Sequence, residues 1–284
     1  MLFTFCIIFV VQRYYKMLRF ISFGSGSSGN CYFLYTDTDG IMIDCGVGVR
    51  KLKKYFHDYG LHISDIHNIL VTHDHADHVK SVGSVCSDNH LPVYSTLEVH
   101  QGIYRNWCVK NKIDDSLKRF LTKGETIKIG EFAVTPFAVP HDSADNVGYC
   151  IEYANIVFTI ITDCGHITEE IKKYIRKSNY LVIEANHGVE KLRDGKYPEI
   201  LKRRIASDFG HLSNEDCAAA LVENATLNLR KVWLCHLSDE NNHPELARKT
   251  VEGILRDHGI VIGKEFDMEV LRRKAPNGVY ELSL

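Results

Sequence analysis

Two spacings of apolar residues alternate along the chain, and together they lay out its elements. Apolar runs at 20–23, 31–35, 41–43, 69–71, 91–94, 155–162, 180–184, 231–235, 266–271 and 279–282 predict strands. Two shorter β segments are predicted around Gly130, at 125–139. Between the strands, helical spacing takes over. Leu52, Tyr55 and Phe56 mark a helix over 50–59, and others are predicted at 79–88, 96–109, 168–177, 198–206, 213–225 and 244–258. Thr96 supplies an N-cap, Ser213-Asn-Glu-Asp216 a capping-box-like start, and Pro244 sits where a first helical turn accepts proline.

Polar residues with chemistry to offer fall just past the strands. Asp44 follows 41–43, Asp163 follows 155–162, Glu184 closes 180–184 and His236 follows 231–235. Strand and helix alternate, so these residues collect along one edge of the sheets. Strand–Asp–Gly recurs in both halves, which fits a duplicated plan. No Pro/Gly-rich linker or charge run divides residues 17–284, and a single domain is expected there. Residues 1–16 stand apart. Leu2 to Val11 is nearly all apolar, too short to span a bilayer, and lacks the basic start and cleavage site of a signal peptide. This segment reads as an extension before a natural start at Met17; the alternative is a short membrane-associating tail.

The richest strand end is Thr72-His73-Asp74-His75-Ala76-Asp77-His78. Side chains of an extended segment alternate faces, so His73 and His75 point the same way. A turn into a helix would swing Asp77 and His78 back toward the same point. Imidazoles and a carboxylate at that spacing can hold two divalent ions a few ångströms apart.

Composition narrows the setting. Among 284 residues, 34 Lys plus Arg balance 36 Asp plus Glu, which excludes a strongly basic coat but not a local basic groove. The nine cysteines are odd in number and form no Cys-x-x-Cys pair, which argues for a reducing, cytoplasmic setting and against a disulfide framework.

His-x-His-x-Asp-His after a strand is the signature of the metallo-β-lactamase superfamily, which this chain resembles. The resemblance implies an α/β fold, the four-layer αββα sandwich. It also implies a metal centre with one ion on His73, His75 and His141, a second on Asp77, His78 and His236, and Asp163 bridging both. Zn2+ suits the histidine-rich set, with Mn2+ the alternative. Two ions sharing a water would lower its pKa and present hydroxide in line with an ester. Asp44 is expected behind the ligands, orienting a histidine through its second ring nitrogen.

Glu184-Ala-Asn-His-Gly188, Phe209-Gly-His-Leu-Ser-Asn214, Cys235-His-Leu-Ser-Asp-Glu-Asn-Asn-His-Pro244 and the Ser-Gly-Ser-Ser-Gly-Asn30 loop resemble a narrower set, the YycJ/WalJ group of bacterial enzymes described as DNA 5′-exonucleases. That resemblance implies a phosphodiesterase acting on the 5′ end of DNA, without a membrane partner. Hydrolysis of RNA, a thioester or a lactam on the same scaffold is the competing reading, and a regulatory protein with a relic site is a third. Glu184 and His211 resemble the Glu–His pair of transfer-RNA 3′-processing enzymes, which makes His211 a candidate acid oriented by Glu184. Asp77, His211 and Glu184 are the expected catalytic residues. Ser25, Ser27, Ser28, Asn30, His187 and Ser213 are the expected substrate contacts, with His187 open between contact and structure. Lys191, Arg193, Lys196, Lys202, Arg203 and Arg204 form a basic cluster that reads equally as a nucleic-acid track or a solvated face. The interval from Asp163 to His236 is too short for the extra domain of β-CASP nucleases.

Overall fold

The computed structural model describes residues 17–284, so the expected extension at 1–16 lies outside them. Fourteen strands form two seven-stranded sheets of matching plan. The first contains β1 (Leu18–Gly24), β2 (Cys31–Tyr35), β3 (Gly40–Ile43), β4 (Asn68–Leu70), β5 (Val93–Ser95) and β6 (Lys118–Phe120), with β14 (Tyr280–Leu282) outside β1. The second contains β7 (Ile127–Ile129), β8 (Phe132–Ala138), β9 (Val147–Tyr153), β10 (Ile156–Ile161), β11 (Tyr180–Glu184), β12 (Lys231–Cys235) and β13 (Asp267–Val270). Each sheet is antiparallel at one side and parallel at the other: β3 through β6 in the first, β10 through β13 in the second. Parallel strands require crossovers, and the helices supply them.

Strand residues divide by parity into separate cores. Phe20, Tyr32, Leu34, Tyr149, Phe158 and Trp233 meet between the two sheets. Their neighbours Ile21, Phe33 and Met42 face outward onto Leu52 and Phe56 of α1 (Val49–Asp58), onto α3 (Val82–Asn89), and onto Val99 and Ile103 of α4 (Leu97–Arg105). Across the molecule, Leu181, Ile183, Val232 and Leu234 face α5 (Glu169–Lys177), α8 (Asn214–Asn224) and α9 (Pro244–Asp257). A sheet buried on both faces needs apolar residues at both parities, which explains why the strands read as continuous runs. The αββα layering follows.

Some expectations shift. The predicted helix at 79–88 is two: α2 (Ala76–Val79) and α3, separated where Ser81 donates its backbone N–H to the Cys45 carbonyl. The helix at 96–109 ends at Arg105, beyond which Val109 packs into the core from a loop. Strands β6 and β9 and the short helix α6 (Val189–Asp194) were not predicted, whereas the 198–206 helix is found as α7 (Glu199–Ile205).

Candidate metal centre

The C-terminal ends of the parallel strands of both sheets open onto one edge. Past β4 the chain stays extended through His73, which bridges Asn146, and through His75 at the N-cap of α2. The first turn of α2 then carries Asp77 and His78 back, as the spacing predicts. His141 arrives from the loop after β8, Asp163 from the end of β10 and His236 from the end of β12.

The five histidines share one arrangement: a ring nitrogen held by the protein and the other turned toward the centre. His73 Nδ1 lies 3.0 Å from Thr72 Oγ1, and His78 Nδ1 lies 2.7 Å from Asp44 Oδ2. The Asp142 and Gly210 carbonyls hold His75 Nε2 at 3.1 Å and His141 Nδ1 at 2.8 Å. Glu184 Oε1 lies 2.9 Å from His236 Nδ1. Inward, His141 Nε2 and His75 Nδ1 approach to 3.3 Å, His236 Nε2 and Asp77 Oδ2 to 3.3 Å, and His78 Nε2 and Asp163 Oδ2 to 3.2 Å. Donor atoms within 4.8 Å of one another define overlapping sets: His73–His75–His141, His73–His78–Asp163, Asp77–His78–His236 and Asp163–Glu184–His211–His236. His73 Nε2 is buried with no protein partner. A buried polar atom without a partner is costly, so this nitrogen faces something the protein does not itself provide. Inward-facing imidazoles around carboxylates fit divalent metal ions.

Asp44 stands behind the cluster, as expected. Its carboxylate is fully buried and accepts from the Thr72 backbone N–H, the Thr72 hydroxyl and His78. Asp163 is held by the Thr162 hydroxyl at 2.7 Å, and Asn146 donates to its carbonyl. Burial would raise the Asp163 carboxyl, but His236, His78 and His73 hold it well below the usual range. Burial likewise opposes charge on His78, but Asp163, Asp44 and Asp77 raise it well above an ordinary histidine. Without a cation these carboxylates favour a proton on the imidazoles, and a bound cation would take that proton's place.

Glu184 does more than the sequence suggested. Its Oε1 lies 2.8 Å from His211 Nδ1 as well as 2.9 Å from His236 Nδ1, and its Oε2 accepts the backbone N–H groups of Cys164 and Leu212. Buried as it is, Glu184 is still driven down to about 2, chiefly by His211. One carboxylate thus orients a residue of the metal cluster and the candidate acid together.

The expected substrate contacts divide. Ser27 and Ser28 are exposed, but Ser25, Asn30 and Ser213 are buried and committed to the protein. Ser25 Oγ pairs with Tyr32 Oη and accepts the His236 N–H. Asn30 accepts from Gly26 and lies 2.8 Å from His78 Nε2, while its backbone N–H bonds the Asp77 carbonyl. Ser213 caps α8. Ser25 and Asn30 have their polar atoms used within the Gly/Ser turn and against α2, and Ser213 has its hydroxyl used on Asp216. His187 is buried, with Nδ1 unpartnered, and lines a cavity of about 450 Å³ beside His211. Of the basic cluster, Arg193 pairs with Asp194, Lys202 with Glu199 and Arg204 with Asp142, so much of its charge is neutralised locally.

A family model described as a β-lactamase superfamily domain matches residues 40–237. "Exodeoxyribonuclease YycJ" of Bacillus anthracis is 34% identical over 262 residues, 92% of this chain and 98% of the relative. "Exodeoxyribonuclease WalJ" of Streptococcus pneumoniae is 34% identical over 242 residues, 85% and 90% of the two chains. The crystal structure of the metallo-β-lactamase fold protein YhfI from Bacillus subtilis superposes with a TM-score of 0.70 over 94% of this chain and 100% of its own, at 14% identity, a likeness of fold alone. The family match and the near-complete alignment to these two exodeoxyribonucleases mean that this chain belongs to the metallo-β-lactamase superfamily and, within it, to the YycJ/WalJ group.

Proposed function

We propose that this metal-dependent hydrolase is a dinuclear phosphodiesterase that degrades DNA from the 5′ end. One observation carries the reading: beside the inward-facing cluster stands a further histidine, His211, outside the seven expected ligands but oriented by the same carboxylate as His236. The exodeoxyribonuclease names of its relatives give the substrate. His73, His75 and His141 would hold one ion, and Asp77, His78 and His236 the other, with Asp163 between them. Bound there, Zn2+ or Mn2+ supplies Lewis acidity that acidifies water and offsets phosphate charge. The chain's own residues do the rest. Thr72, Asp44, Glu184 and two carbonyls fix the imidazoles, so little reorganisation is needed as charge develops. Burial opposes charge on His211, but Glu184 and Asp163 raise it above an ordinary histidine, which favours the protonated form an acid needs. With Nδ1 on Glu184, its Nε2 is left to donate to the departing sugar oxygen.

The setting is read as cytoplasmic, with residues 17–284 acting as one domain. Among the described residues eight cysteines are free, seven of them buried, and no helix is long and apolar enough to cross a membrane. The test is a product ladder. Purified protein given 5′-phosphorylated DNA should release mononucleotides stepwise from that end, and a chelator should stop it. Faster turnover of RNA, a thioester or a lactam under the same conditions would overturn the assignment.

A further inference from the structure

A second cavity, of about 680 Å³, has Gly24, Ser28 and Gly29 of the Gly/Ser loop in its wall and has no part in the chemistry above. Arg50, Lys51, Lys80, Arg273 and Lys274 line it, and no acidic side chain does. The balance of these charges is unusual. Asp239 serves both Arg273, at 2.9 Å, and Lys274, at 2.6 Å. Lys80 reaches only a neutral carbonyl, that of Ser28, at 2.7 Å. Arg50 and Lys51 meet no carboxylate among the described residues. Five cations with one shared carboxylate leave a strong positive field in a concave space, where it is focused.

Their placement has a cost that folding does not explain. Arg50 and Lys51 occupy the first turn of α1, which has no acidic residue and no side-chain cap. Cations at a helix N-terminus are repelled by the exposed amides, so these two are disfavoured unless an anion sits among them. Much of the remaining wall is apolar, and the half-buried Tyr55, backed by the buried Phe23 at 6.5 Å with 5° between their planes, offers its ring to a sugar or base. The cavity is coupled to the metal centre through a short path. Lys80 is two residues beyond His78, and Asn30, next to the lining Gly29, bonds the Asp77 carbonyl.

We propose that this cavity is an exosite that binds a backbone phosphate of the nucleic-acid substrate, away from the phosphate being cut, and keeps the strand on the enzyme between cleavages. The proposal rests on the phosphodiesterase reading for its ligand but uses none of its catalytic residues. Its experiment compares the metal-loaded wild type with Arg50→Ala/Lys51→Ala. Both side chains are exposed, so the fold should tolerate the change. On a 5′-phosphorylated strand of roughly twenty nucleotides, the double variant should raise KM about tenfold with kcat unchanged, and lower the salt dependence of binding by about two counterions. On thymidine 5′-(p-nitrophenyl phosphate), too short to reach the cavity, the two proteins should behave alike. Equal KM and salt dependence on the long strand would overturn the exosite. So would equal losses on both substrates, which would make the two residues part of the catalytic centre. So would inorganic phosphate altering turnover of the small diester in the wild type alone, which would make the cavity a regulatory anion site. If neither substrate is cut, the phosphodiesterase reading fails, and anisotropy with the same labelled strand still decides the exosite: about tenfold weaker binding by the variant upholds it, and equal binding overturns it.

Discussion

Replacing Glu184 with glutamine changes one atom and cannot leave intact every bond that the carboxylate makes. Four donors converge on its two oxygens: His211 and His236 on Oε1, and the Cys164 and Leu212 backbone N–H groups on Oε2. An amide has one acceptor oxygen, so neither rotamer satisfies all four. With NH2 toward the backbone, two buried N–H groups lose their acceptor, at about 1–3 kcal/mol each and thus about 2–6 kcal/mol of stability. With NH2 toward the histidines, both must become acceptors at Nδ1 and carry their proton on Nε2. For His236 that is the nitrogen facing Asp77, and its proton excludes a metal. Loss of such an orienting partner costs metal affinity about 10–100-fold. The expected outcome is therefore slower DNA cleavage accompanied by a smaller urea midpoint or by weaker retention of metal on dialysis, according to which way the amide turns. Urea unfolding, elemental analysis and single-turnover rates check the three. A Glu184→Gln protein with wild-type midpoint and metal content, slowed only on DNA, would refute the shared-carboxylate argument.

Three further outcomes follow from the same geometry. His211→Ala should keep its metal and slow DNA cleavage by about 10²–10⁴, with a smaller loss on a nitrophenyl diester whose leaving group needs no proton; loss of metal or equal slowing would make His211 a ligand. Asp163→Ala should lower metal content by at least one ion per chain by elemental analysis and abolish turnover, because Asp163 lies within reach of His73 and His78 on one side and of His236 on the other. The metal-stripped protein should lose stability in acid: Glu184 ordinarily titrates near 4.5 and is held at about 2 when folded, so its contribution is whole above the first value and disappears as pH falls through the second, which acid titration followed by circular dichroism would show.

What the sequence made legible was whatever has a side-chain signature. The histidine motif, the strand-end acids and the late His236 are residue types at positions, and continuous apolar runs located most strands of both sheets. What escaped has no such signature. His75 and His141 are oriented by the carbonyls of Asp142 and Gly210, and any residue supplies a carbonyl. Strand β9 hides because Gly148 interrupts its apolar run; a Cβ there would come within 2.4 Å of the Phe137 ring, so packing and not strand propensity chose glycine. Strand β6, Lys118–Phe120, is a mostly exposed sheet edge with no alternation to read. Glu184 was visible as a partner for His211, but its bond to His236 joins β11 to the end of β12, a proximity only the parallel pairing creates.

The repeated Asp-Cys-Gly triplet shows how the two halves build one site by the same means. Asp44 and Asp163 have φ of 59° and 51°, and His236, on the next strand end but one, has 52°. The left-handed region is disfavoured for residues with a side chain, by about 1–3 kcal/mol, and glycine would relieve it. Glycine has no carboxylate, so the strain is tolerated where the acid is required. The central cysteine of each triplet, Cys45 or Cys164, is buried in the core outside its own sheet and anchors the turn. The glycine then makes room for a neighbouring loop. A Cβ on Gly46 would lie 1.6 Å from the Asp77 carbonyl, and one on Gly165 would lie 2.1 Å from the Asp208 carbonyl. Gly165 also donates its N–H to the Pro140 carbonyl, directly before His141. In each half, therefore, the triplet places an acid at a strand end and admits the backbone of the loop that carries other site residues: Asp77 and His78 in the first, His141 and His211 in the second.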